Sequence, residues 1–129
     1  MTRTVADIMA TQLITFAPDT NIHEAIHILL EQRISGAPVV DKDGALVGML
    51  SKKDCLKITF STSYHEDWGG PVSDFMSAPV ETLDADLDLV SAAEIFLKSH
   101  FRRFPVLRHG RLVGLVSRYD ILKALTAAP

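Results

Sequence analysis

The chain repeats itself, and this repeat constrains its fold more than any other feature. Residues 72–76 (Val-Ser-Asp-Phe-Met) lie on residues 5–9 (Val-Ala-Asp-Ile-Met) when the chain is shifted by 67 positions. After one deletion in a turn, residues 112–117 (Leu-Val-Gly-Leu-Val-Ser) lie on residues 46–51 (Leu-Val-Gly-Met-Leu-Ser). So many ordered matches indicate a duplication, and a unit of about 55 residues buries only a modest core alone. We therefore predict a first repeat over 1–59, a connector over 60–71 and a second repeat over 72–129.

Each repeat shows the same succession of helix and hairpin signals. An Asp-Gly turn at 41–44 separates two β-rich apolar runs, and a His-Gly turn does the same at 109–110. Thr20 and Asp88 are the predicted N-caps of the helices that precede these hairpins. Apolar residues recur at helical spacing in both helices: Ile22, Ala25, Ile26, Leu29 and Leu30 in the first, and Leu89, Ala92, Ala93, Phe96 and Leu97 in the second.

These signals predict an α/β (α+β) fold. Short strands near 13–15 and 80–82 precede the first helices, and a last helix of each repeat begins at Ser51 or Ser117. The order is therefore β-α-β-β-α, made twice. We expect the two repeats to pack sheet against sheet as a pseudo-twofold pair that leaves a cleft.

Composition narrows the class of protein. A chain of 129 residues with 47% hydrophobic residues allows a globular fold, and no apolar run is long enough to span a membrane. The single cysteine favours a reducing cytoplasm. A net charge of −3 makes nucleic acid an unlikely partner. A local basic cluster fits either a compact anion or a solvated face: Arg102, Arg103, Arg108, Arg111 and Arg118.

Two equivalent strand-to-helix junctions carry the chemistry. Ser51 and Asp54 recur as Ser117 and Asp120, each pair three residues apart at the start of a helix. Free backbone N–H groups and a serine hydroxyl at a helix start bind phosphate, and a carboxylate can accept two hydrogen bonds from a ribose. The same Ser-x-x-Asp spacing also resembles a capping box, which only fastens the helix. The residues alone do not separate these two interpretations.

At these residues the chain resembles the cystathionine-β-synthase (CBS) domain family. The resemblance lies in the two Asp-x-Met segments at 7–9 and 74–76, the Ala-Pro-Val-Val and Phe-Pro-Val-Leu strands, and both Gly-x-x-Ser-x-x-Asp junctions. It covers both halves, so nearly the whole chain is similar to one CBS pair, or Bateman module, which we expect to be a stand-alone protein.

The resemblance implies a regulatory module and no enzyme. Such pairs bind AMP, ADP, ATP, NAD or S-adenosylmethionine between the repeats, form disc-shaped homodimers and regulate a partner protein. Asp54 and Asp120 would hold ribose hydroxyls, and Ser51 and Ser117 would face phosphate. The base pocket would be lined by Thr15, Ala37, Pro38, Thr82, Phe104 and Pro105, and the phosphate partners would be Lys52, Arg103 and Arg118. Because Gly36 is replaced by Arg103 in the second repeat, we expect the second site to suit a charged nucleotide better.

Other readings of the chain remain open. His23 and His27 have the i, i+4 spacing of a shared metal site, so a metal-dependent hydrolase is one alternative. Cys55 follows Asp54 at a helix start, where it is either a thiol of lowered pKa or small core filling. A dimerisation scaffold with degenerate pockets is a further alternative. In the connector, Tyr64 and Trp68 either stack on a base or cover an edge of the module.

Overall fold

A computed structural model of the chain has the mixed helices and strands that the repeat predicts. It describes residues 3–62 and 69–127, with side chains described over 3–58 and 69–127, so Tyr64 and Trp68 lie outside the described residues. A short 3₁₀ helix covers Val72–Asp74. The helices are α1 (Val5–Ile8), α2 (Ile22–Glu31), α3 (Lys52–Thr62), α4 (Leu89–Lys98) and α5 (Arg118–Thr126). The strands are β1 (Gly36–Val40), β2 (Leu46–Ser51), β3 (Leu83–Asp84), β4 (Arg103–Arg108) and β5 (Arg111–Ser117).

The chain divides into two compact units, which we call the Asp54 unit and the Asp120 unit. The Asp54 unit is Ile14–Val80, and the Asp120 unit combines Met1–Leu13 with Glu81–Pro129. Backbone bridges explain this division, because Ser77 pairs with Met49 in one unit and Ala10 pairs with Leu115 in the other. The repeats of the sequence and the compact units of the structure are therefore different divisions of the chain.

In the Asp54 unit, β1 and β2 form an antiparallel pair. Gly36 lies opposite Ser51, and Phe16 forms a parallel bridge to Val39 on the other edge of β1. A strand at 13–15 was therefore predicted slightly too early, since only Phe16 exchanges hydrogen bonds with β1. The core of this unit is built from α2, α3 and the hairpin: Phe16, Ile22, Ala25, Leu29, Ala37, Val39, Leu50, Cys55, Ile58 and Val72.

Helix α2 begins at a cap one residue later than the predicted one. Its N-cap is Asn21, whose side-chain oxygen accepts from the His23 amide at 2.8 Å. Thr20, the predicted cap, instead accepts a hydrogen bond from the Ala17 amide at 3.2 Å. Leu30 shares the helical spacing of the apolar residues but is 62% exposed, because Ile22, Ala25 and Leu29 already fill the inward face of the helix.

In the Asp120 unit, the strands lie in the order β3-β4-β5. Strand β3 is parallel to β4 and lies at Leu83–Asp84, slightly later than the predicted 80–82, because its backbone pairs with Val106 and Leu107. A two-residue turn with positive φ at His109 and Gly110 joins β4 to β5, as in a type I′ hairpin. The core consists of Val5, Leu83, Ala85, Leu89, Ala92, Phe96, Phe104, Val106, Val116 and Ile121.

Helix α4 begins where the sequence predicts. Asp88 is its N-cap, and its carboxylate accepts from the Ser91 amide at 3.0 Å. Hydrogen bonds from the Ser91 side chain and from its amide lower the pKa of Asp88. Leu97 shares the helical spacing of these apolar residues but is 86% exposed, while Leu89, Ala92 and Phe96 are buried. Within the described ranges, no helix has the length and apolar character that membrane crossing requires.

Candidate functional site

The junction between β5 and α5 is a complete capping box. The Asp120 amide donates to Ser117 Oγ at 3.1 Å, and the Ser117 amide donates to Asp120 Oδ2 at 2.9 Å. The helix-fastening role that the Ser-x-x-Asp spacing also indicated is therefore present at this junction. It engages one carboxylate oxygen of Asp120, and the other, Oδ1, accepts no hydrogen bond from any residue that the structure describes.

The junction between β2 and α3 has the same box with an additional donor. The Asp54 amide donates to Ser51 Oγ at 3.1 Å, while the Ser51 amide and hydroxyl donate to Asp54 Oδ2 at 3.0 and 2.9 Å. The hydroxyl of Ser77 also donates to Asp54 Oδ1 at 3.1 Å. Both oxygens of Asp54 therefore already accept hydrogen bonds from the chain itself.

Capping and ligand binding thus do not exclude each other. A carboxylate offers about four lone-pair positions on two oxygens, and a capping box needs only one of the oxygens. Both Asp54 and Asp120 are half-buried, so solvent still reaches them. The difference between the two junctions lies in the second oxygen, which has a donor at Asp54 and none within the described part of the chain at Asp120.

The strand glycines that precede the junctions are explained by packing inside each unit. A Cβ at Gly48 would collide with Met76 and approach the Ser77 carbonyl oxygen to 3.1 Å. A Cβ at Gly114 would collide with Met9 and approach the Ala10 carbonyl oxygen to 2.8 Å. The close approach that these glycines allow is therefore to another segment of the same unit.

Exposed cationic side chains lie at both junctions: Arg103 and Arg118 at the Asp120 junction, and Lys52 and Lys53 at the Asp54 junction. Arg103 is exposed and lies opposite Ser117 in the β4–β5 register, whereas Gly36 lies opposite Ser51. Arg118 is exposed and donates from Nη2 to the Ser99 carbonyl at 3.0 Å, which leaves its remaining N–H groups for an anion. Its counterpart Lys52 is also exposed.

The apolar residues assigned to the base pocket are mostly inside the protein. Ala37 and Phe104 are each 1% exposed and belong to the two cores, and the Phe104 ring lies 4.9 Å from that of Phe96. Pro38 and Pro105 are buried as well. The side chains of Ala37 and Phe104 belong to the cores of the two units, and a contact of either residue with a base stays a prediction.

The two threonines lie before the first strand of each sheet. Thr82 is half-buried and immediately precedes β3. Thr15 is exposed and lines an open pocket of about 530 Å³ together with residues 40–43. That pocket is at the C-terminal end of β1, while Ser51 pairs with Gly36 at the N-terminal end. Within its own unit, Thr15 is therefore not brought to the Ser51 junction.

Two residues of the enzymatic alternatives, His27 and Cys55, have defined surroundings in the structure. His27 Nε2 lies 3.0 Å from Glu31 Oε2 in an exposed pair, and the described residues contain no group of three or more metal-binding side chains. Cys55 is buried, and burial together with the charge of Asp54 raises the pKa of its thiol. This is opposite to the lowered pKa of a reactive cysteine, so Cys55 serves as core filling.

Ser77 is a residue of the Asp54 junction that the sequence reasoning missed. The repeat alignment placed Ser77 on Ala10, a mismatch immediately after the matched Asp-x-Met segments. That single difference was visible in the sequence, but its meaning depends on the hydrogen bond to Asp54, which only the structure shows.

Two capped strand-to-helix junctions on a duplicated fold define a tandem-domain protein, and comparison with known proteins names the domain. The family model for the CBS domain matches residues 5–60 and again residues 72–127. The chain therefore belongs to the CBS domain family and contains a pair of these domains.

Three similar proteins illustrate the range of this family. The chain is 36% identical over 112 residues to an inosine-5′-monophosphate dehydrogenase of Aquifex aeolicus, covering 85% of this chain but only 22% of the dehydrogenase. The crystal structure of CBSX2 in complex with AMP is 30% identical, with a TM-score of 0.83 over 95% of both chains. The CBS domain pair of MJ0100, in complex with 5′-methylthioadenosine and S-adenosyl-L-methionine, is 28% identical, with a TM-score of 0.76 over 97% of both chains.

Proposed function

We propose that this CBS pair is a regulatory module that binds an adenosine-containing nucleotide and catalyses no reaction. The candidates are AMP, ADP, ATP, NAD and S-adenosylmethionine. The observation that carries the proposal is Oδ1 of Asp120, a carboxylate oxygen without a hydrogen-bond donor among the described residues. An anionic acceptor of this kind suits the paired hydroxyl donors of a ribose.

The ligands of the two similar structures support the choice of an adenosine-containing molecule. AMP, 5′-methylthioadenosine and S-adenosyl-L-methionine share adenine and a ribose with adjacent hydroxyls, and differ in what the 5′ carbon carries. In this chain Arg103 and Arg118 are exposed beside Ser117 and Asp120, which favours a ligand with a 5′ phosphate. Arginine presents a fork of N–H donors that matches phosphate geometry.

Regulation would follow from population shift. A ligand whose sugar binds Asp120 and whose phosphate attracts Arg103 and Arg118 stabilises whichever arrangement brings these groups together. A partner protein that prefers this arrangement then senses the ligand, by an amount set by the differential affinity.

The buried Cys55 is unpaired, in keeping with our proposal of a reducing, cytoplasmic setting.

Nucleotide binding predicts a rise in melting temperature. A ligand that binds only the folded state stabilises it by RT ln(1 + [L]/Kd), about 2.7 kcal/mol at a hundredfold excess over Kd. We expect AMP or ATP at millimolar concentration to raise the melting temperature in differential scanning fluorimetry, and ribose 5-phosphate to have a smaller effect. If none of the candidate nucleotides changes the melting temperature or releases heat in titration calorimetry, the proposal is wrong.

We also propose that the protein is a homodimer formed through helix faces. Helices α4 and α5 pack on each other and expose large apolar side chains. Leu97 is 86% exposed, and several large apolar side chains exposed on two packed helices favour an interaction surface. The other exposed apolar side chains on these helices are Val90, Ile95, Tyr119, Leu122 and Leu125.

Leu97→Glu is therefore expected to convert the dimer to a monomer, because it would bury a charge in the interface. The matched control is Lys98→Glu, which places the same side chain at the next exposed position and should leave the dimer intact. Sedimentation equilibrium measures both. A monomeric wild-type protein, or a dimer that survives Leu97→Glu, would rule out this interface.

A scaffold without a ligand is the second candidate function. It is favoured by the capping hydrogen bonds of Asp54 and Asp120, which show that both residues have a structural role even without a nucleotide. A scaffold and a sensor would both lose the dimer on Leu97→Glu, but a scaffold would show no melting shift with any nucleotide. The melting shift therefore separates a sensor from a scaffold.

A further inference from the structure

We propose that the side chains at positions 77 and 10 decide which junction binds the nucleotide. The hydroxyl of Ser77 disfavours binding at Asp54, and the lack of a hydroxyl at Ala10 favours binding at Asp120. The inference rests on the proposed function. The Ser77 hydroxyl donates to Asp54 Oδ1 at 3.1 Å and so occupies an acceptor position that a ribose hydroxyl would need. Ala10 is the counterpart of Ser77 in the repeat and has no hydroxyl to donate to Asp120.

The two positions are equivalent in the backbone as well as in the sequence. Ser77 and Met49 exchange two hydrogen bonds, of 3.0 and 2.9 Å, and Ala10 and Leu115 exchange two of 2.8 and 3.0 Å. Met49 and Leu115 each stand two residues before the serine of their junction. A side chain at position 10 therefore starts from the same place relative to Asp120 as the Ser77 side chain does relative to Asp54.

Counting acceptors shows why this matters for a ribose. Two adjacent hydroxyls donate two hydrogen bonds, and a carboxylate has about four lone-pair positions. Asp54 already accepts three hydrogen bonds, from the Ser51 amide, the Ser51 hydroxyl and the Ser77 hydroxyl. Asp120 accepts one hydrogen bond from the described residues, which the Ser117 amide donates to Oδ2. Its Oδ1 accepts no hydrogen bond from these residues. Only Asp120 can accept both ribose hydroxyls without displacing a donor of the chain.

Titration calorimetry with AMP tests this inference in variants that exchange the residue types at positions 10 and 77. We expect the wild-type protein to bind one AMP per chain, and Ala10→Ser to weaken that binding about threefold to tenfold, the effect of one competing hydrogen bond. Ala127→Ser makes the same chemical change at an exposed position at the far end of α5 and should bind as the wild type does. Ser77→Ala should add a second, weaker binding event, which Asp54→Asn in the same background should remove.

The outcomes distinguish failure of the inference from failure of the proposed function. If AMP binds the wild type but Ala10→Ser and Ser77→Ala leave affinity and stoichiometry unchanged, the selection by position 77 or 10 is wrong while the function stands. Wild-type binding that is lost in Asp54→Asn but kept in Asp120→Asn would also overturn the inference. If AMP and the other nucleotides do not bind the wild type, the function and the inference both fail. Melting curves identify any variant that does not fold. If either Ala10→Ser or Ser77→Ala does not fold, the other substitution tests the inference.

Discussion

Phe104→Ala is expected to lower the free energy of unfolding by about 3–5 kcal/mol, the usual cost of deleting a buried aromatic ring. Phe104 is 1% exposed, belongs to the core of the Asp120 unit, and packs its ring 4.9 Å from that of Phe96. Because small domains are stable by only about 5–15 kcal/mol, this loss would leave the protein close to unfolding. Urea denaturation followed by circular dichroism measures it.

Phe101→Ala is the matched control for this prediction. The Phe101 ring contacts the Phe104 ring edge-on at 5.8 Å, but Phe101 is 51% exposed. We expect its removal to cost well under half as much, since most of its surface is already in water. If Phe104→Ala were no more destabilising than Phe101→Ala and only weakened nucleotide binding, Phe104 would be a pocket residue after all.

Asp120→Asn is expected to weaken AMP binding by about tenfold to a hundredfold, corresponding to about 1.5–3 kcal/mol for hydrogen bonds to a charged group. The asparagine side-chain oxygen can still accept from the Ser117 amide, so the cap that now measures 2.9 Å is retained. What is lost is the charge and the second acceptor, which the amide nitrogen replaces with a donor. Titration calorimetry gives the dissociation constant.

The chain contains a matched control for this substitution. Asp7 forms another capping box, in which its Oδ2 accepts from the Thr4 amide at 2.8 Å at the start of α1. Asp7→Asn makes the same chemical change at a helix start outside the proposed site. Each variant should lose about 0.3–1 kcal/mol of stability, because each removes a negative charge near a helix N-terminus. Equal AMP affinity in Asp120→Asn and wild type would remove Asp120 from the site.

These two predictions concern residues that the family resemblance placed in the same pocket. The two residues differ in their surroundings. Phe104 is buried in a core, whereas Asp120 is half-buried and its Oδ1 has no hydrogen-bond donor among the described residues. A loss of binding in Phe104→Ala would therefore accompany unfolding, whereas a loss in Asp120→Asn would occur in a folded protein.

The local elements could be predicted because short-range chemistry sets them. Asp88 caps α4, and the His109–Gly110 turn closes a tight hairpin, since a carboxylate at a helix start and a glycine at positive φ act over a few residues. The predictions that failed concern one-residue details: Asn21 replaced Thr20 as the cap of α2, since either of two adjacent polar residues can cap a helix. Leu30 and Leu97 have helical spacing and yet are exposed, because the 3.6-residue period leaves the edge of an apolar face undecided.

The sequence by itself determined the duplication, the type of each main element and the two Ser-x-x-Asp junctions, because a repeat and a residue spacing are properties of the chain alone. Only the tertiary structure decided which segment joins which unit and what each carboxylate oxygen accepts. Ser77 comes 23 residues after Asp54, yet its hydroxyl lies 3.1 Å from the carboxylate. Ala10 stands far from Leu115 in the chain but pairs with it in the Asp120 unit. Such contacts depend on backbone pairing between distant segments, which no local pattern encodes.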